Sequence, residues 1–193
     1  MNAPGPGAAH SSGRGCLLWG GIGVAFVVLG LGAIVFWLAT HSTQDPAEAR
    51  AWAEEMIDLE FPAETPPASG LRLDDVRFVF AGEDVEDPAR LSLTVVGSAS
   101  EESLEFDQLA RYGETDEDAE VKVLDRQEIS FLVRGEEVPT MLVRYDNGTT
   151  DYSLLLEGKP AMENRNWRVM LVFHGPPERN TAAWVQRALD GVR

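Results

Sequence analysis

One cysteine, Cys16, is present in 193 residues. A lone thiol excludes an internal disulfide and any zinc centre built on cysteine pairs. Acidic residues are missing from the first 44 positions, where Arg14 is the single basic side chain. All 32 Asp and Glu therefore fall in the remainder, against 15 of the 16 Lys and Arg, a net charge of −17 for that part. Such a surface repels phosphate backbones and anionic lipid, which excludes nucleic-acid binding. The chain also lacks a G-x-S-x-G elbow, a phosphate-cradling glycine loop and an internal repeat. Lysine is scarce beside arginine and Ala/Gly usage is high, as in a GC-rich bacterial genome.

What the first part does contain is apolar. The run from Cys16 to Ala39 carries no charge and includes WGGIGVAFVVLGLGAIVFW, bracketed by Trp19 and Trp37. As a helix, 24 residues would reach roughly 36 Å, against ~30 Å of bilayer hydrocarbon. The run is too long for a signal-peptide core, and FWLATHST offers a poor cleavage site, so it reads as an uncleaved transmembrane helix. Trp19 and Trp37 would then lie at the two membrane interfaces. Gly21 and Ala25 have the small-x-x-x-small spacing that lets two membrane helices pack closely, a route to self-association. Arg14 and the amino terminus before the run, with no basic residue after it until Arg50, place the N-terminus in the cytoplasm. The organisation expected is a disordered cytoplasmic tail (1–15), a transmembrane helix (16–39), a short linker (40–44) and an extracytoplasmic domain (45–193), localised to the cell membrane.

The domain opens on a helix. Asp45 suits its N-cap, Pro46 its first position and Glu48 a capping box, and Ala49, Trp52, Ala53, Met56 and Ile57 share one face until Phe61-Pro62. VRFVFAG and RLSLTVVG then read as antiparallel strands, and SASEESLEFDQLARY as a second helix. In VPTMLVRYDNGTTDYSLLLEG, Asn147-Gly148 signals a two-residue hairpin turn that sets Asp146 opposite Thr149 and Arg144 beside Asp151. The same residues form a glycosylation sequon, which a bacterial chain leaves unused. WRVMLVFHG is the most apolar strand and expected to be central; NTAAWVQRALDGV is a closing amphipathic helix capped by Asn180, with Trp184, Val185, Ala188 and Leu189 inward.

Candidate chemistry is thin. His174 follows the apolar strand in FHGPP and reads first as a turn residue, second as a general base paired with Asp151 or another carboxylate. The acidic clusters Glu83, Asp84, Glu86, Asp87 and Glu114, Asp116, Glu117, Asp118, Glu120 lack the alternating ligands and glycine of an EF-hand, so they read as solvated loops rather than calcium sites. No cofactor is called for.

The stretches AEEMIDLEFPAETPP, VRFVF, FLVRG and WRVMLVFHGPPERNTAAWVQRAL resemble small membrane-tethered proteins of unassigned function from environmental bacteria. The strand-then-helix ending is similar in outline to the PsbP-like fold, an antiparallel sheet flanked by helices. That resemblance implies a binding or assembly domain without chemistry of its own, and carries over no site residue. The expected fold is thus α+β: one N-terminal transmembrane helix followed by a mainly antiparallel sheet flanked by helices. The leading functional expectation is a non-enzymatic extracytoplasmic module that binds an envelope protein or assembles there. A hydrolase-like enzyme using His174 with a carboxylate, and an acidic cation-binding domain, are the alternatives.

Overall fold

The computed structural model describes residues 37, 40–82, 90–99, 121–161 and 166–193. The chain divides into two compact units, Met1–Thr40 and His41–Arg193. In the first, Trp37 and Thr40 are helical, the Thr40 hydroxyl donates to the Trp37 carbonyl at 2.9 Å, and Trp37 is 45% exposed.

The second unit is built on one eight-stranded, wholly antiparallel sheet. Its strands are β1 (Ser42–Thr43), β2 (Pro67–Leu73), β3 (Val76–Ala81), β4 (Ser92–Ser98), β5 (Val123–Val133), β6 (Glu136–Tyr145), β7 (Thr150–Pro160) and β8 (Asn166–Gly175). Only two helices accompany them among the described residues: α1 (Pro46–Met56) and α2 (Ala182–Leu189). The strand order β1-β2-β3-β4-β8-β7-β6-β5 joins two meanders at β4 and β8, which places the apolar WRVMLVFHG strand in the middle.

Two expectations are corrected here. Among the described residues the fold is dominated by its sheet rather than being α+β, and no membrane-spanning helix is found there. The physical reason is length: 11 and 8 residues make helices of only about 16 and 12 Å, while β5 and β7 each run for 11 residues and pair along most of that length. No helix among the described residues is long and apolar enough to cross a membrane, so the single-pass anchor, and with it the cell-membrane localisation and sidedness drawn from it, is not supported. The run it was read from lies outside the described residues except for Trp37, as do Trp19, Gly21, Ala25, both acidic clusters and all of the expected second helix beyond Ala99; its first residue, Ser98, instead ends β4 as a buried strand residue.

Local chemistry explains the remaining elements. The Asp45 carboxylate accepts from the Ala47 N–H at 2.9 Å, capping α1 ahead of Pro46. The helix stops at Met56, short of Pro62, because Ile57 turns extended and Leu59 bridges to Val192 near the chain end. Ala49, Trp52, Ala53 and Met56 pack against the inner sheet face, where Gly70 leaves room for the Trp52 ring. Val79, Leu93, Val95, Leu154, Val169, Leu171 and Phe173 line that face and are wholly buried. Alternation then sends Val76, Phe78, Val96, Leu155, Met170 and Val172 to the opposite face, where they form a second, smaller apolar cluster. The closing helix is capped by Thr181, not Asn180. Asn180 is instead fully buried, its amide donating to the Thr150 and Phe173 carbonyls at 2.8 and 2.9 Å, a clamp between β7 and β8.

Candidate functional site

His174 and Asp151 are directly opposed across β8 and β7, so their side chains leave the same, outer face of the sheet. His174 Nδ1 lies 2.5 Å from Asp151 Oδ1. The other carboxylate oxygen, Oδ2, accepts from the Tyr145 hydroxyl at 2.9 Å. Tyr145 arrives there through the β6–β7 turn. The Tyr145 N–H bonds the Thr149 carbonyl and the Gly148 N–H bonds back to the Tyr145 carbonyl, so the loop holds three residues, 146 to 148, with only Gly148 at positive φ (82°). Asn147 is not the second positive-φ residue; its Oδ1 accepts from the Thr149 N–H and hydroxyl at 3.0 and 2.7 Å. The expected two-residue turn would have set Arg144 against Asp151; the observed register sets Val143 there and Arg144 against Thr150. A slip of one residue reverses every side chain, and it delivers Tyr145 rather than Arg144 to the face that carries Asp151.

The Tyr145 phenol is pushed well above its ordinary value, by burial first and then by the charge of Asp151 and the hydrogen bond to it. It is therefore a fixed donor at neutral pH. A carboxylate at Nδ1 orients the ring and keeps the proton on that nitrogen, which leaves Nε2 as the exchangeable acceptor. This is the geometry of an oriented general base. Ser92 faces His174 from β4, giving serine, histidine and aspartate in one row across three strands. Its hydroxyl is not a nucleophile in waiting: Ser92 is 5% exposed, and among the described residues its hydroxyl makes no hydrogen bond to His174.

Other features lie elsewhere. A cleft of about 410 Å³ is lined by Glu60, Phe61, Glu64, Trp184, Arg187 and Asp190 among others, on the side of the sheet that α2 covers. It does not include His174 or Asp151, which project from the opposite face. Among the described residues no group of three or more His, Cys, Asp or Glu side chains is placed to hold a metal ion.

The far edge of the sheet is the other feature of consequence. β5 is terminal in the strand order, and residues 124 to 128 are all exposed, with Leu124 at 68%. Arg134 and Gly135, at φ 53° and 83°, form the two-residue turn into β6. The Val133–Glu136 pair next to that turn fixes the alternation, so residues 127, 129 and 131 bond to β6 while 128, 130 and 132 aim their N–H and C=O groups away from it. Leu132 confirms this: its N–H donates to Gln186 Oε1 at 3.2 Å and its C=O accepts from Gln186 Nε2 at 2.8 Å. The amide of Gln186 thus imitates a neighbouring strand at one position. Glu128 and Ser130 turn the same groups outward with no protein partner among the described residues.

Neither Tyr145 nor Gln186 was singled out by sequence reasoning. Tyr145 depends on a one-residue detail of turn length, and Gln186 on where α2 meets β5. No family model, curated protein or solved structure matches the chain, so no family is shown and the PsbP-like resemblance gains no support from these comparisons.

Proposed function

We propose that this protein is a non-enzymatic binding or assembly module that captures an extended protein segment along β5. The observation that carries this is the outward row of main-chain donors and acceptors at Glu128 and Ser130 on an exposed terminal strand. Exposed strand edges recruit extended chains through main-chain hydrogen bonds, with alternate side chains supplying selectivity. Natural sheets blunt such edges when they are not used. Here Gln186 closes only the Leu132 position, and the other terminal strand, β1, is two residues long. The strong acidity of the chain fits a protein partner better than a nucleic acid.

The test uses ten-residue peptides selected from a displayed random library against the full chain. Ser130→Pro removes one outward N–H at a place where an edge strand accommodates proline. It should weaken the selected peptides about tenfold or more. Gln186→Ala, which opens Leu132, should leave or strengthen binding. Peptides indifferent to Ser130→Pro in a variant whose circular dichroism is native would refute the reading.

A second reading is favoured by the His174–Asp151–Tyr145 array: a hydrolase-like site with Nε2 as general base. It is the weaker of the two, since the described cleft does not reach these residues. The distinguishing variant is His174→Ala, which would abolish the protein's biological activity at unchanged stability if this second reading held.

A further inference from the structure

Resting on the strand-capture reading, we infer that the segment captured along β5 is an antiparallel strand with a basic residue opposite Glu128 and, immediately before it, an apolar residue opposite Ile129. The open stretch is bounded on both sides. Gln186 occupies the Leu132 N–H and C=O, and Arg126 already holds interactions in its own chain, which leaves residues 127 to 130. There Glu128 and Ser130 point their main-chain groups away from β6 and their side chains to the outer face, while Gln127 and Ile129 lie on the inner face. A strand added antiparallel, as every pair in this sheet is, exchanges hydrogen bonds with Glu128 and Ser130. Its residue between those two faces Ile129 as a non-hydrogen-bonded pair, the kind whose side chains lie closer together.

Charge decides which side chains that strand carries. The cations of β5, β6 and their turn are all held: Arg126 within its own chain, Arg144 by Asp125 at 3.4 Å, and Arg134 by the Glu157 and Arg193 carbonyls at 3.1 and 2.7 Å. The acids are not. Glu128, and Glu137 on the same face opposite Leu132, are exposed and have no ion-pair partner among the described residues. An acidic segment would meet their repulsion with no free cation to receive it, whereas a Lys or Arg opposite Glu128 forms a favourable cross-strand pair. The inner position differs in kind. Ile129 is half-buried against the main core, so a Val, Ile or Leu opposite it extends that core over the edge. Because the two strands run in opposite directions, the residue facing Ile129 comes just before the residue facing Glu128. The pattern recognised is therefore an apolar residue followed directly by a basic one. The net charge of −17 beyond residue 44 adds long-range attraction for a basic segment.

The experiment selects displayed ten-residue peptides against the full chain and, in parallel, against its Glu128→Lys variant. Pools from the unaltered chain should share an apolar residue followed by Lys or Arg. Pools from Glu128→Lys should keep the apolar residue and replace the basic one by Asp or Glu. A synthetic peptide from the first pool should bind Glu128→Lys about tenfold more weakly, and its version with glutamate at the basic position should show the reverse preference. Asp75→Lys makes the same change in net charge in the β2–β3 turn, five strands from β5. At about 8 Å of screening it should leave binding within about twofold, which separates a cross-strand pair from the general field of the chain. Native circular dichroism in each variant shows that a loss is not unfolding. Pools without a basic preference, a peptide indifferent to Glu128→Lys, or equal losses in Asp75→Lys and Glu128→Lys overturn the inference. If that happens while Ser130→Pro still weakens the same peptide, strand capture stands and only the basic segment as occupant is lost; indifference to Ser130→Pro as well removes the reading itself.

Discussion

Two glycines beneath the end of α1 provide a quantitative test of how the sheet holds its helix. Gly97 on β4 and Gly158 on β7 both meet Met56, but different parts of it. A methyl added at Gly97 would collide with the Met56 thioether, with Cγ at 2.9 Å and a Trp167 ring carbon at 3.2 Å. One at Gly158 would collide with the Met56 carbonyl oxygen and lie 2.8 Å from Val169 Cγ2 and 2.9 Å from Trp167 Cβ. A thioether has three rotatable bonds and can swing aside within the core, whereas a carbonyl moves only with its helix turn. Gly97→Ala should therefore cost about 1–3 kcal/mol, the usual range for overpacking, and Gly158→Ala above about 4 kcal/mol. Met56→Ala alone should cost about 2–5 kcal/mol. Combined with Gly97→Ala it should cost less than the sum by about 1–3 kcal/mol, because the cavity receives the new methyl. Combined with Gly158→Ala it should show no such relief, since the carbonyl remains. Urea denaturation followed by tryptophan fluorescence measures all five variants. A Gly158→Ala loss no larger than that of Gly97→Ala, or equal coupling of both to Met56, would refute the argument.

Alkaline pH addresses the outer-face array. The folded state raises the Tyr145 phenol above its ordinary value of 10.0, so the native protein holds a proton that the unfolded chain releases. That contribution is complete below the ordinary value and is lost as pH climbs through the interval up to the raised one. For a half-buried group the slope is up to about 1 kcal/mol per pH unit. Tyr145→Phe should flatten the fall in stability above pH 10 without erasing it, because burial also raises Tyr152; equal slopes in denaturation series at rising pH would show that Tyr145 is not held by Asp151. Trp184 is 5% exposed and meets Phe173 edge-on at 5.5 Å and 88°. Its truncation to alanine should cost about 3–5 kcal/mol, and a loss below about 1 kcal/mol would show that α2 is not anchored through that ring.

Sequence alone determined the parts whose cause is local. Asp45-Pro46 starts a helix wherever it stands free to do so, since the carboxylate cap and the fixed proline φ need no distant partner. The alternation in WRVMLVFHG likewise announces a strand, and its near-continuous apolarity marks a central one. His174 and Asp151 could be named as potential partners from residue type, but nothing local made them meet. Their opposition depends on the β7–β8 register, and Tyr145 reaches Asp151 because the Asp146-Asn147-Gly148 loop holds three residues instead of two. The balance of sheet over helix was equally non-local. Helical patterns report an amphipathic face, yet α1 ends where Leu59 finds Val192, more than a hundred residues away in sequence. The open edge of β5 is the furthest from the sequence of all. A strand's own residues do not say which of its sides will be paired; that is decided when the two meanders join at β4 and β8 and leave β5 outermost.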